Sequence, residues 1–126
     1  MGSEKHKAPE ILFSPEKIGL EWPGVHEMVI QSINSCDRDV RKTLFNQIIV
    51  AGGTSMLTGF NERLHKSLQR LVSREVSIQL KAPKNRKHSC WIGGAIVSSL
   101  KTFNKMWVTK KLYEEEGQRI FYDWGF

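Results

Sequence analysis

The stretch that most limits what this chain can fold into is QIIVAGGTSM, residues 47–56. Ile48, Ile49, Val50 and Ala51 form an unbroken apolar run rich in β-branched side chains, which suits a short strand over 47–51 covered on both faces. The run stops on Gly52 and Gly53. Both can take a positive φ and present bare backbone N–H groups, and a helical pattern resumes at Phe60. A strand that breaks into glycine ahead of a helix lets the backbone approach a phosphate or a nucleoside. The same dipeptide also serves as an ordinary tight turn, and the motif alone leaves both readings open.

Around this stretch the pattern is mostly helical. Residues 1–9 are expected to be an unstructured lead-in, followed by a loop with apolar anchors Ile11, Leu12, Phe13 and Ile18, broken by Pro15. After Pro23-Gly24, the spacing of Val25, Met28, Val29 and Ile33 predicts an amphipathic helix over 24–35. Asp37 is a candidate N-cap for a short helix in which Val40 and Leu44 share a face. Phe60, Leu64, Leu68 and Leu71 recur with charged residues between them and predict a longer one. Val76, Ile78 and Leu80 alternate with Ser77, Gln79 and Lys81, predicting a half-buried strand over 75–81, ended by Pro83 and a polar connector over 84–88.

The segment WIGGAIVSSL, 91–100, is apolar nearly all round, and two interior glycines weaken an exposed helix by about 1 kcal/mol each. A buried helix in close contact with a neighbour is therefore expected there. Phe103, Met106 and Trp107 are expected to face inward from a short turn over 102–107. Thr109 is a candidate cap for a last helix reaching Glu116 and ended by Gly117. Its lysines come early and its glutamates late, against the helix dipole, so this helix is expected to be weak. The tail side chains Ile120, Phe121, Tyr122, Trp124 and Phe126 are too apolar to be left comfortably in water. Two strands make no stable sheet, so a partner chain or more of the same polypeptide is expected to complete one.

The remaining constraints come from composition. With 126 residues, 40% of them hydrophobic, the chain suits at most one domain. No apolar run approaches the ~20 residues of a membrane span, and residues 1–7 show neither the apolar stretch of a secretory signal nor the Arg/Ser bias of a transit peptide. Cys36 and Cys90 lack CxxC or CxxH spacing and suit reduced thiols better than a disulfide or zinc framework. Net charge is +6, with basic residues at Lys81, Lys84, Arg86, Lys87 and His88 and again at Lys101, Lys105, Lys110 and Lys111. These clusters read either as a patch for an acidic partner, nucleotide phosphates or nucleic acid or as a solvated face with a charged loop. No block of five or six like charges occurs and no aromatic side chains interleave the 81–88 cluster, so the solvated face is expected and direct nucleic-acid contact is not.

The blocks APEILFSP, GVHEMVIQSINSCDRDVRKTLF, IIVAGGTSMLTGF and APKNRKHSCWIGGAIVSSLKTFNKMWVTKKLYEEEG, with a chain stopping on Phe126, resemble the C-terminal third of actins and actin-related proteins. The resemblance covers residues 8–126 almost without gaps, and its most specific part is KHSCWIGGAIVSSLKTFNKMW. It implies an α/β fold class: the C-terminal portion of the two-lobed actin-like ATPase fold, with an incomplete sheet and mostly helices. Residues 10–88 would belong to the inner lobe (subdomain 3-like) and 89–126 return to the outer lobe (subdomain 1-like), and the missing sheet partners would lie in the preceding two thirds of that fold.

The resemblance further implies that Gly52, Gly53, Thr54 and Met56 line ATP or ADP, that Leu57 stands where actins place an aromatic ring near the adenine, and that Lys87 flanks the base. Leu57 keeps apolar contact but loses ring stacking. Gly93 and Gly94 match a close helix crossing at the lobe hinge. Val97, Leu100, Thr102 and Met106 match the lining of the inter-lobe groove that takes helices of actin-binding proteins; as residues alone they read equally well as core. The phosphate loops, the carboxylates that order Mg2+ and the groups that position attacking water lie earlier in the fold. The only aspartates here are Asp37, Asp39 and Asp123, outside any phosphate-loop pattern, so this chain alone is not expected to hydrolyse ATP. The implied partners are other actin or actin-related subunits, with no membrane, in the cytoplasm and cytoskeleton. The ending FYDWGF, Lys84-Asn85 and the Trp22-Pro23 loop depart from conventional actins. The alternative is a non-polymerising scaffold subunit of a chromatin-remodelling or dynein-activator complex, which would put the nucleus in play.

Overall fold

In the computed structural model, which describes residues 2 and 4–123, the elements run α1 (Glu4–Glu10), α2 (Val25–Ser35), α3 (Arg38–Phe45), β1 (Ile48–Ile49), α4 (Phe60–Leu71), β2 (Leu80–Lys81), α5 (Ser89–Ser98), α6 (Lys110–Glu116) and α7 (Arg119–Asp123). Short 3-10 turns at Pro15–Ile18, Gly53–Met56, Arg86–His88 and Phe103–Met106 stand between them. The chain divides into two compact units, Met1–Cys90 and Trp91–Phe126.

The first unit is built around the apolar stripe of α4. Leu68 is fully buried and Leu64 nearly so, and with Phe13 and Val50 they form the core, flanked by Val25, Val29, Phe60 and Ile78. Leu71, which continues the sequence stripe, is 54% exposed because the helix ends there and runs past the core. Helix α2 begins after Pro23 as its spacing predicts, and the Glu27 carboxylate accepts the Gly24 N–H at 2.8 Å. A Cβ at Gly24 would collide with the Phe13 carbonyl, so this position closes the loop onto the helix. Asp37 precedes α3 without a side-chain capping bond, and Val40 and Leu44 both face solvent.

Strands β1 and β2 pair in parallel, Ile48 opposite Leu80 and Ile49 opposite Lys81, with α4 as the crossover. The ladder is shorter than expected at both strands. Burial still alternates along 76–81, inward at even numbers, but only the last two residues lie beside β1. The expected cover on both faces is not met, since Ile49 is 70% exposed. At the other end, where an unstructured lead-in is expected, α1 is helical. It is tied to α4 by the Arg63 guanidinium, which holds Glu10 at 2.6 Å and lies 5.3 Å over the Phe13 ring.

Among the described residues of the second unit Ile120 is buried, and the Tyr113 and Phe121 rings lie 5.9 Å apart. The expected burial of 91–100 is not met: α5 has no buried residue, Trp91 is 75% exposed, and outside the helix's own backbone no described atom of its unit lies within 4 Å of a Cβ built at Gly93 or Gly94. Met106 and Trp107 also face solvent rather than inward, with Trp107 edge-on to Phe103. The physical reason is the same throughout: among the described residues of their unit, these apolar faces are not covered. Tyr122 is likewise exposed, and Trp124 and Phe126 lie outside the described residues.

Candidate functional site

Because β1 and β2 are parallel, the loops that follow them leave the sheet at the same end. Val50, buried, donates its N–H to the Lys81 carbonyl at 2.9 Å, and two residues later the chain turns at Gly52 with φ 95° and ψ 159°. Only glycine takes that backbone conformation readily. The 3-10 turn Gly53–Met56 follows directly.

This turn is clamped to the connector after β2. The Gly52 N–H donates to the Arg86 carbonyl at 2.9 Å. Ser55, 4% exposed, donates its hydroxyl to the Gly52 carbonyl at 2.7 Å and accepts Arg86 Nε at 3.1 Å. Arg86 Nη2 donates to the Ser55 carbonyl at 3.0 Å and Nη1 to the Pro83 carbonyl at 3.2 Å. The guanidinium fork is thus turned toward the protein's own oxygens, and the 3-10 turn Arg86–His88 sits against Gly53–Met56.

The geometry brings Gly52, Gly53, Thr54, Met56, Leu57 and Lys87 into one neighbourhood. Gly52 is half-buried; Gly53, Thr54 and Lys87 are exposed, as are Met56 and Leu57, which offer apolar surface at the rim. The expectation that both glycines present free N–H groups is corrected at Gly52, whose amide is taken by Arg86. Gly53 has open space where a Cβ would project, so another molecule's atoms can come against the backbone there. Beside the turn, Thr54 and Ser55 also border an apolar hollow of about 290 Å3 walled by Leu12, Val29, Ile48 and Phe60, whose lining suits hydrocarbon rather than phosphate.

Neither Ser55 nor Arg86 stood out as an organiser of the turn in sequence. Arg86 sits in a run of exposed cations, and only its being arginine, whose planar fork suits several fixed acceptors at once, sets it apart from the neighbouring lysines. Lys81, Lys84, Lys87 and His88 are exposed, and Arg86 is not.

In the second unit, Val97 lies near the end of α5, Leu100 just after it, and Thr102 and Met106 at the two ends of the following 3-10 turn. Successive turns link them, with Leu100 N–H on the Val97 carbonyl at 3.1 Å and Phe103 N–H on Leu100 at 2.9 Å. All four are exposed. Cys36 and Cys90 are free thiols. Among the described residues no three or more His, Cys, Asp or Glu side chains come together as a metal site would require, and no helix is long and apolar enough to cross a membrane. The six residues of the turn neighbourhood offer backbone groups, two apolar side chains, the Thr54 hydroxyl and the Lys87 ammonium, all of which can contact a bound molecule.

The family model described as Actin matches residues 1–123. An actin-like protein of Neurospora crassa is 49% identical over 109 residues, which cover 86% of this chain and 29% of that protein. The chain therefore spans about three-tenths of the length of that relative.

Proposed function

Because this chain belongs to the actin family, we propose that it supplies the adenosine side of an ATP/ADP site. Gly53 and Thr54 meet the nucleoside through the backbone, Met56 and Leu57 cover the apolar face of the base, and Lys87 flanks it. The observation that carries this reading is the clamp between Gly52 and Arg86 at 2.9 Å, because it draws Lys87 and the glycine turn, far apart in sequence, to one end of the sheet.

The turn fits a nucleoside in two respects. The backbone is open at Gly53, where no side chain intrudes, and two apolar side chains stand exposed beside it. It does not fit Mg2+, for which the described residues gather no cluster of carboxylates. The ion and the hydrolytic groups are therefore assigned to other parts of the family's fold, and this chain's role is to hold the base and sugar.

The second element of the proposal is a groove for an amphipathic helix along Val97, Leu100, Thr102 and Met106, with actin-like subunits as further partners in a cytoskeletal, cytoplasmic assembly. Retention of radiolabelled ATP by the native polypeptide that carries these residues, with magnesium present, tests the site. No retention at millimolar ATP overturns it. Sedimentation at high speed tests the assembly, since a protein that stays in the supernatant under polymerising conditions is a scaffold subunit and not a filament former.

A further inference from the structure

We infer that Arg86 is a positioning residue for the nucleotide-facing turn, acting through Ser55, and is not itself a phosphate ligand. The inference rests on the reading of 52–57 as the adenosine side of the site. A cation next to a glycine turn invites the opposite assignment, in which the guanidinium reaches for phosphate oxygens. The geometry points away from it. Of the five N–H donors of the guanidinium, Nε is given to Ser55 Oγ at 3.1 Å, one on Nη2 to the Ser55 carbonyl at 3.0 Å and one on Nη1 to the Pro83 carbonyl at 3.2 Å.

All three acceptors are neutral oxygens of the protein, and two belong to Ser55, the one buried residue of the turn. Ser55 in turn holds the Gly52 carbonyl at 2.7 Å. The chain of contacts therefore runs from the Arg86 guanidinium through Ser55 to the Gly52–Gly53 peptide unit, and it fixes where the Gly53 and Thr54 backbones point. Removing the guanidinium leaves the backbone bond between Gly52 and the Arg86 carbonyl in place, so the turn loosens without losing its anchor. Lysine at this position keeps the charge and loses the fork.

The test is equilibrium binding of adenosine, ADP and ATP to the native polypeptide and to its Arg86→Ala, Arg86→Lys and Ser55→Ala variants, with hydrogen exchange at residues 53–57 followed without nucleotide. Loss of charged hydrogen bonds of this kind corresponds to a roughly tenfold weakening. That factor is expected to be the same for all three ligands, equal in Arg86→Ala and Arg86→Lys, and shared rather than added in the Arg86→Ala/Ser55→Ala double variant. Stoichiometry at saturation stays at the wild-type value, which a variant that merely unfolds would not maintain. Exchange at 53–57 quickens while the rest of the core is unchanged. A loss confined to ADP and ATP makes Arg86 a phosphate ligand and overturns the inference, as does unchanged affinity with unchanged exchange. If the wild-type protein binds no nucleotide, the functional reading fails, and the exchange data still decide whether Arg86 holds the turn.

Discussion

The Gly52 amide donates to the Arg86 carbonyl at 2.9 Å, joining the turn after β1 to the connector after β2. Parallel pairing makes this bond available, because it delivers both loops to the same end of the sheet. The bond also divides the labour of the two glycines. Gly52 is committed to the fold and Gly53 is left facing outward.

Alanine substitution at the two positions is therefore expected to give opposite signatures. At Gly52 the φ of 95° is poorly tolerated by any side chain, and Gly52→Ala should lower stability by about 1–3 kcal/mol. At Gly53 the φ is not positive and a Cβ meets no atom within 4 Å, so Gly53→Ala should leave stability within about 0.5 kcal/mol of wild type. Its methyl group nevertheless projects where the nucleoside is proposed to lie, and ATP affinity should fall. Urea unfolding and ATP titration of both variants check this. Equal stability losses would show that the turn does not separate the two roles.

Along α4 the prediction concerns where the apolar stripe stops mattering. Leu68→Ala removes a fully buried side chain and should cost about 2–5 kcal/mol, enough to unfold much of the first unit at 37 °C. Leu71→Ala, one turn on in the same stripe, should cost far less because that side chain is 54% exposed. Thermal melts followed by circular dichroism separate the pair. A comparable loss at Leu71 would mean that something outside this chain covers it.

That contrast marks how far the sequence could be read. The stripe Phe60, Leu64, Leu68 was legible because three consecutive turns of a helix share one core, and the starts of α2 and α6 were legible from Pro23 and Thr109. The strand lengths were not, because pairing depends on what lies alongside: β1 finds a neighbour for two residues only. The run 91–100 misled for a related reason. Hydrophobicity states that a surface prefers burial and says nothing of whether its partner is present in the same unit, and α5 is left exposed. The clamp at Arg86 was hidden because three of its four contacts end on backbone or hydroxyl oxygens whose position no pattern records.

Helix α6 should depend on its cap more than on its charges. Thr109 Oγ1 accepts the Leu112 N–H at 3.2 Å. The pairs Lys110–Glu114 and Lys111–Glu115, at 3.7 and 3.9 Å, are solvent-exposed and run lysine to glutamate, the less favourable order. Thr109→Ala should destabilise this helix by about 1 kcal/mol, seen as faster hydrogen exchange at Leu112 and Tyr113. Raising the salt concentration should change it little. Strong salt sensitivity with an unaffected Thr109→Ala variant would reverse the assignment.

The exposed apolar residues of the second unit give the last prediction. Trp91 at 75%, Ile96 at 59%, Leu100 at 50% and Trp107 at 55% exposure lie within a segment of fewer than twenty residues, without a polar residue between Trp91 and Val97. A surface of this kind is uncommon on a solitary soluble monomer and favours self-association. The 126-residue chain alone should therefore bind anilinonaphthalene sulfonate, enhance its fluorescence, and scatter light increasingly with concentration. Replacing Ile96 and Leu100 together with glutamine should suppress both signals while leaving the unfolding of the first unit unchanged, because neither side chain contributes to its core. An amphipathic helical peptide seated along Val97, Leu100 and Met106 should suppress the same signals without mutation. A monodisperse chain with no dye response would show instead that these side chains are satisfied within the chain, and the proposed groove would have no free surface on which to act.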